Sequence, residues 1–162
     1  MRKVSGKAPV TAAVRFLRVN NVDYSEHLYV YEDRGGTSVS ARELGISEHS
    51  VIKTLILESF EKKPLLILMH GDRQVSTKRL ARLIGTKSIS PCAPLVASRH
   101  TGYLVGGTSP FGTKRNLPIY VEESIFDLDE IYINGGARGF LVRIEPEVLK
   151  DVFSLNLVNV AI

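Results

Sequence analysis

Ile131-Tyr132-Ile133-Asn134-Gly135-Gly136-Ala137-Arg138-Gly139-Phe140-Leu141-Val142-Arg143-Ile144 sets a glycine-rich turn between two runs of branched and aromatic residues. Two such runs with a short connection fold most simply as an antiparallel hairpin. Upstream, Ile119–Val121, Leu65–Met69 and Val51–Leu57 read as further strands, the last rich enough in Val, Ile and Leu to be buried. Tyr24–Tyr31 alternates in part and reads as another strand. Helices are expected from about Pro9 to Asn20, from a Ser38 cap to Leu44, and from a Ser76 cap to Ile84. Ala93–His100 reads as one or two helical turns, and Pro146 starts a short last helix. Gly45 and Gly85 suit the helix ends. Strands and helices alternate irregularly, which favours a mixed-sheet α+β domain over a doubly wound parallel one.

The chain has 162 residues, 44% apolar and 23% charged, the size of one domain, expected to span 1–162. No apolar run reaches the ~20 residues of a membrane-spanning helix. The basic start Met1-Arg2-Lys3-Val4-Ser5-Gly6-Lys7 has no apolar segment behind it, so a secretory signal is not expected. A soluble, cytoplasmic protein without membrane contact is the default. A single cysteine makes neither an internal disulfide nor a zinc cluster.

The net charge of +4 is unevenly spread. From Arg73 to Val121 there is no acid, against eight bases: Arg73, Lys78, Arg79, Arg82, Lys87, Arg99, Lys114 and Arg115. Glu122 to Asp151 holds eight acids against Arg138, Arg143 and Lys150. The acid-free block fits either a surface that meets a nucleic-acid backbone or solvated helix faces.

Catalytic signatures are sparse. His27, His49, His70 and His100 are scattered without ligand spacing, so no metal is expected. Cys92, between Pro91 and Ala93-Pro94, reads as a small packing residue rather than a nucleophile. Gly107-Thr108-Ser109-Pro110-Phe111-Gly112-Thr113-Lys114 misses the phosphate-binding P-loop at its Gly-Lys-Ser/Thr end, and Pro118 forbids a long helix after it. The glycine-rich loop is either a plain surface turn or a cradle of backbone N–H groups for a carbonyl oxygen or an anion. Lys53, inside an apolar strand, either faces solvent or enters a polar site. Gly135, Gly136 and Gly139 supply turn conformations around Arg138.

Three segments together resemble a known family. Ser50-Val51-Ile52-Lys53-Thr54-Leu55, Ser98 through Gly112 with its Tyr103-Leu104-Val105-Gly106-Gly107-Thr108-Ser109-Pro110 core, and Ile131 through Gly139 look like the hallmark segments of YbaK/ProX proteins. These are free-standing aminoacyl-tRNA deacylases, similar to the editing domain of bacterial prolyl-tRNA synthetases. The resemblance runs from about Thr11 to Lys150. It implies a strongly curved, barrel-like mixed sheet surrounded by short helices. It also implies trans-editing hydrolysis of a mischarged aminoacyl-tRNA, most simply Cys-tRNA(Pro), without cofactor. Position by position, Lys53 matches the family's essential lysine and Gly106 and Pro110 the ends of its glycine–proline loop, with Gly107, Thr108 and Ser109 between. Tyr31 matches a pocket tyrosine, and Gly135, Gly136 and Arg138 a second glycine loop. The implied partners are the acceptor end of aminoacyl-tRNA and a prolyl-tRNA synthetase. Cysteinyl-specific members tend to carry an acid where this chain has Leu141 and a serine where it has Asn134, which leaves alanine or another small acyl group open. A non-catalytic tRNA- or synthetase-binding module is the alternative, and a pocket for an amino-acid-like ligand a third reading.

Overall fold

The computed structural model describes residue 4 and residues 6–162. In chain order it holds α1 (Ala12–Val19), β1 (Ser25–Leu28), α2 (Gly36–Leu44), β2 (Val51–Ser59), β3 (Pro64–His70), α3 (Thr77–Ile84), β4 (Ile89–Pro91), α4 (Pro94–Thr101), β5 (Ile119–Glu122), β6 (Ile131–Ala137), β7 (Phe140–Ile144), α5 (Val148–Val152) and β8 (Leu155–Val158). Single 3₁₀ turns cover Glu48–Ser50 and Glu123–Asp127.

The strands form one mixed sheet in the order β1-β7-β6-β2-β3-β5-β8, with β4 added to β2. The β6–β7 and β2–β3 hairpins are antiparallel, while β2–β6, β3–β5 and β5–β8 are parallel. The expected α+β class is therefore present. The expected curved mixed sheet with short helices around it is present as well; among the described residues it is curved without closing on itself.

Local chemistry sets the element ends. The Thr11 side chain accepts from Val14 N–H at 3.1 Å and starts α1, and Ser76 accepts from Arg79 N–H at 3.3 Å to start α3. Gly85 ends α3 with a left-handed φ of +85°. Two expectations shift. Ser38 does not cap α2, which begins at Gly36; the Ser38 hydroxyl lies inside the first turn and donates to Gly35 O. The strand read over Tyr24–Tyr31 is only Ser25–Leu28, because β7 offers partners from Arg143 to Phe140 alone.

The largest core packs α1, β5, β6, β7 and Phe111 around one sheet face. A second packs α3 against Leu57, Leu65, Ile67 and Met69 on the other. A third small cluster joins α2 to Val51, Tyr132 and Leu141. Among the described residues no helix is long and apolar enough to cross a membrane.

Candidate active site

The site is built where β2 lacks neighbours. On one edge β2 pairs with β6 only at Val51 and Ile52, and with β4 only from Leu57 onward. Residues 53–56 therefore have no strand partner on that edge. Gly71 N–H donates to Val51 O on the β3 side, and Cys92 N–H donates to Ile56 O on the opposite side. That parity turns the backbone groups of Thr54 towards the gap.

A cavity of about 520 Å³ opens at this gap. All six residues from Val51 to Ile56 line it, although alternate side chains of a strand point to opposite faces. Ile52 and Ile56 belong to the main core, whereas Leu55 packs on the α3 side and Val51 on the α2 side. The missing rungs thus let one cavity meet both faces of β2.

Lys53 lines this cavity and is half-buried. Its ammonium donates to Arg73 O. Burial lowers the Lys53 pKa from lysine's ordinary value, and the carboxylates of Glu48 and Asp72 act in the opposite sense. Lys53 is thus partly withdrawn from open solvent at the cavity.

Tyr31, Gly106, Thr108 and Arg138 line the same cavity. Gly106 has a φ of +88°, and a Cβ built there would come within 2.5 Å of the Tyr31 hydroxyl. The Arg138 guanidinium lies over the Tyr31 ring at 5.4 Å and its Nε donates to Val105 O at 2.9 Å. Gly107, Ser109, Pro110, Gly135 and Gly136 do not line the cavity. Gly107 N–H closes a turn onto Leu104 O at 2.8 Å. Ser109 is fully buried and its hydroxyl accepts from Phe111 N–H at 3.2 Å; Pro110 is buried beside it. Gly135 O accepts from the Thr11 hydroxyl, and Gly136 N–H donates to Asn134 Oδ1 at 2.7 Å.

Other lining groups escape a reading by composition. Asn134 joins both glycine loops, and Leu141 forms part of the wall. Cys92 lines the cavity with its thiol aimed at Glu58, 3.8 Å away. Burial, reinforced by Glu58, pushes that thiol up to about 11, so it is protonated at neutral pH and a poor nucleophile.

The histidines are not all scattered in space. The β2–β3 hairpin stacks the His49 and His70 rings 3.8 Å apart and 6° from parallel, and His49 Nδ1 bonds Asp72 at 2.8 Å. His70 donates from Nδ1 to His49 O and accepts at Nε2 from the Ser124 hydroxyl, each at 2.8 Å. One ligand atom each of His49, His70 and Asp72 lies within 4.8 Å of the others, although both His70 nitrogens already carry hydrogen bonds. The eight bases of the acid-free block are all exposed. Arg99 lies on α4, whose first turn gives Pro94 and Ala97 to the cavity wall, and Lys114 and Arg115 bond the other end of that helix at Thr101 O and His100 O.

A sequence model of the aminoacyl-tRNA editing domain matches residues 33–152. The chain belongs to the aminoacyl-tRNA editing domain family. As such it is a hydrolase, an aminoacyl-tRNA deacylase. The editing domain is 29% identical over 140 residues to EbsC of Enterococcus faecalis, covering 86% of this chain and 85% of that one; EbsC is provisionally named a Cys-tRNA(Pro)/Cys-tRNA(Cys) deacylase. It is also 36% identical over 94 residues to the proline–tRNA ligase of Thermodesulfovibrio yellowstonii, covering 58% of this chain but 16% of the ligase. A solved structure described provisionally as a trans-editing enzyme for prolyl-tRNA synthetase superposes with a TM-score of 0.81 at 19% identity, over 96% of this chain and 98% of that one.

Proposed function

We propose that this editing domain hydrolyses, in trans, the ester joining a small wrong amino acid to tRNA(Pro), with cysteine the leading acyl group. One observation carries the reading: Lys53, Tyr31, Gly106, Thr108 and Arg138, drawn from four separate segments, line a single cavity at the broken edge of β2. The likeness to EbsC and to proline–tRNA ligases supports the tRNA and acyl assignments. The same likeness makes a prolyl-tRNA synthetase the expected partner.

The chemistry asks little of side chains. The ester is already activated by its ribose leaving group. An oxygen nucleophile, water or water relayed by the ribose 2′-hydroxyl, adds to the acyl carbon. The ester C–O bond breaks, the 3′-oxygen takes the proton, and the amino acid leaves as its carboxylate. For a cysteinyl ester the substrate's own thiol is an alternative attacking group: the C–S bond forms as the ester C–O bond breaks, the 3′-oxygen takes the thiol proton, and water then opens the released β-thiolactone to cysteine. Lys53 holds the terminal phosphate or the acyl carbonyl through a charge-assisted bond worth about 1.5–3 kcal/mol. Gly107 N–H is committed to Leu104 O, Pro110 has no N–H and Ser109 does not line the cavity, so the developing oxyanion is assigned to Gly106 and Thr108 N–H. One such donor is worth roughly 10²–10³ in rate.

The test is a deacylation time course on Cys-tRNA(Pro) and Ala-tRNA(Pro), with wild type and Lys53→Ala. Wild type removes at least one ester above the spontaneous rate, and K53A, folded by circular dichroism, is slower by about 10² or more. Loss of neither ester overturns the reading; an unchanged K53A rate removes Lys53 from the mechanism.

A further inference from the structure

The Thr54 hydroxyl oxygen is closed to solvent in the free protein and has no hydrogen-bond partner among the described residues, so a ligand in the cavity bonds it once the side chain turns about χ1. Buried hydroxyls are almost always bonded, so an orphan in a cavity wall marks a place where a ligand completes the structure. Thr54 lies on the β2 edge that neither β6 nor β4 covers, and it lines the cavity. Strand alternation puts it on the face of Ile52 and Ile56, the face that packs with Cys92 and Ala97.

Its surroundings narrow the ligand. Ile56, Pro91, Pro94 and Ala97 are apolar wall, and the Cys92 thiol is turned to Glu58. An ammonium needs several acceptors to leave water, and this part of the wall offers one hydroxyl and the Thr54 backbone. A small neutral group with a single polar atom matches one unpartnered hydroxyl. We infer that Thr54 determines specificity by hydrogen-bonding the β-hydroxyl or β-thiol of a seryl or cysteinyl group, selecting these over alanyl. This inference rests on the deacylase reading above. A pocket built around a hydrogen bond discriminates against a substrate lacking the partner group, because its own polar atom is then left unpaired.

The experiment compares wild type, Thr54→Val and Thr54→Ser on Ser-, Cys- and Ala-tRNA(Pro), measuring kcat/KM and thermal unfolding. Wild type is expected to prefer the seryl and cysteinyl esters. T54V loses at least tenfold on those two and less than twofold on the alanyl ester, while T54S keeps the wild-type preference. Because the hydroxyl has no partner in the free protein, T54V melts at the same or a higher temperature. A wild-type preference for alanyl, an equal loss on all three esters, no loss, or a lower melting temperature for T54V each overturns the inference while leaving the deacylase reading intact. A wild type that cleaves none of the three overturns that reading and the inference with it.

Discussion

The Asn134 amide ties the two glycine loops to each other: Nδ2 donates to Gly106 O at 3.1 Å, while Oδ1 accepts from Gly136 N–H at 2.7 Å and Ala137 N–H at 3.2 Å. The β6–β7 register slips between Asn134 and Ala137, so this side chain replaces ladder bonds the bulge has lost. Asn134→Ala leaves those donors without an acceptor, at a cost of about 1–3 kcal/mol. Unfolding by heat should shift down by roughly 2–4 °C for each kcal/mol. Asn134→Asp separates the two roles, since a carboxylate accepts from the bulge but cannot donate to Gly106 O. N134D should therefore melt closer to wild type than N134A yet lose deacylation to a similar extent. Full activity in N134D would mean that the tie to Gly106 does not position the loop.

Gly106→Ala attacks the loop from the other end. The left-handed φ costs a non-glycine residue roughly 1–2 kcal/mol, and the new Cβ collides with the Tyr31 ring, whose nearest carbons would lie at 3.1 Å. The strain is local, at an exposed position, so G106A should remain folded while its deacylation rate falls by ten- to hundredfold. A folded G106A with wild-type kcat/KM would exclude this loop from the reaction.

Much of the fold is legible locally. β2, β3 and the β6–β7 hairpin carry their own branched-residue runs and turns, and the glycine ends of α2 and α3 carry their own stop signals. What is not legible depends on distant partners. β4 is three residues ending in Pro91, and β8 is held by parallel pairing to β5 more than thirty residues upstream. The site divides the same way. The glycine loops stand out because glycine is rare in strands. The choice between solvent and site for Lys53 turns on where the rungs of β2 end, which no local pattern states. Thr54 looks like any strand threonine, and His49 and His70 look unrelated until the hairpin stacks them.

The acid-free block should act through the phosphate backbone of tRNA, with an affinity that falls steeply as salt rises. α4 supplies cavity wall at Pro94 and Ala97 and carries Arg99 and His100 at its other end, where His100 bonds Arg115 at 3.0 Å. α3 contributes no lining residue. Charge reversal at Arg99 and Arg115 should therefore raise KM for aminoacyl-tRNA by about tenfold with kcat little changed, while reversal at Arg79 and Arg82 should do less. Equal effects from the two pairs would point to diffuse attraction rather than a docked acceptor stem.

The stacked histidines make stability depend on pH. Burial lowers the His70 pKa from its ordinary 6.5, outweighing the opposing hydrogen bond to His49 O and the carboxylates of Asp72 and Glu122. The unfolded chain takes up its proton near 6.5, whereas the folded chain resists until the pH is lower. Between those two values the unfolded state binds more protons, so stability falls as pH drops through 6.5 towards the lowered folded value, and is unaffected above it. His27 and His100, also lowered chiefly by burial, add to the same slope. The melting temperature should therefore drop between pH 8 and pH 5.5. His70→Gln should melt lower than wild type at pH 8, because its bonds to His49 O and Ser124 are disturbed, but lose less on acidification. If the acid-induced drop in H70Q equals that of wild type, the His70 proton is not what destabilises the fold.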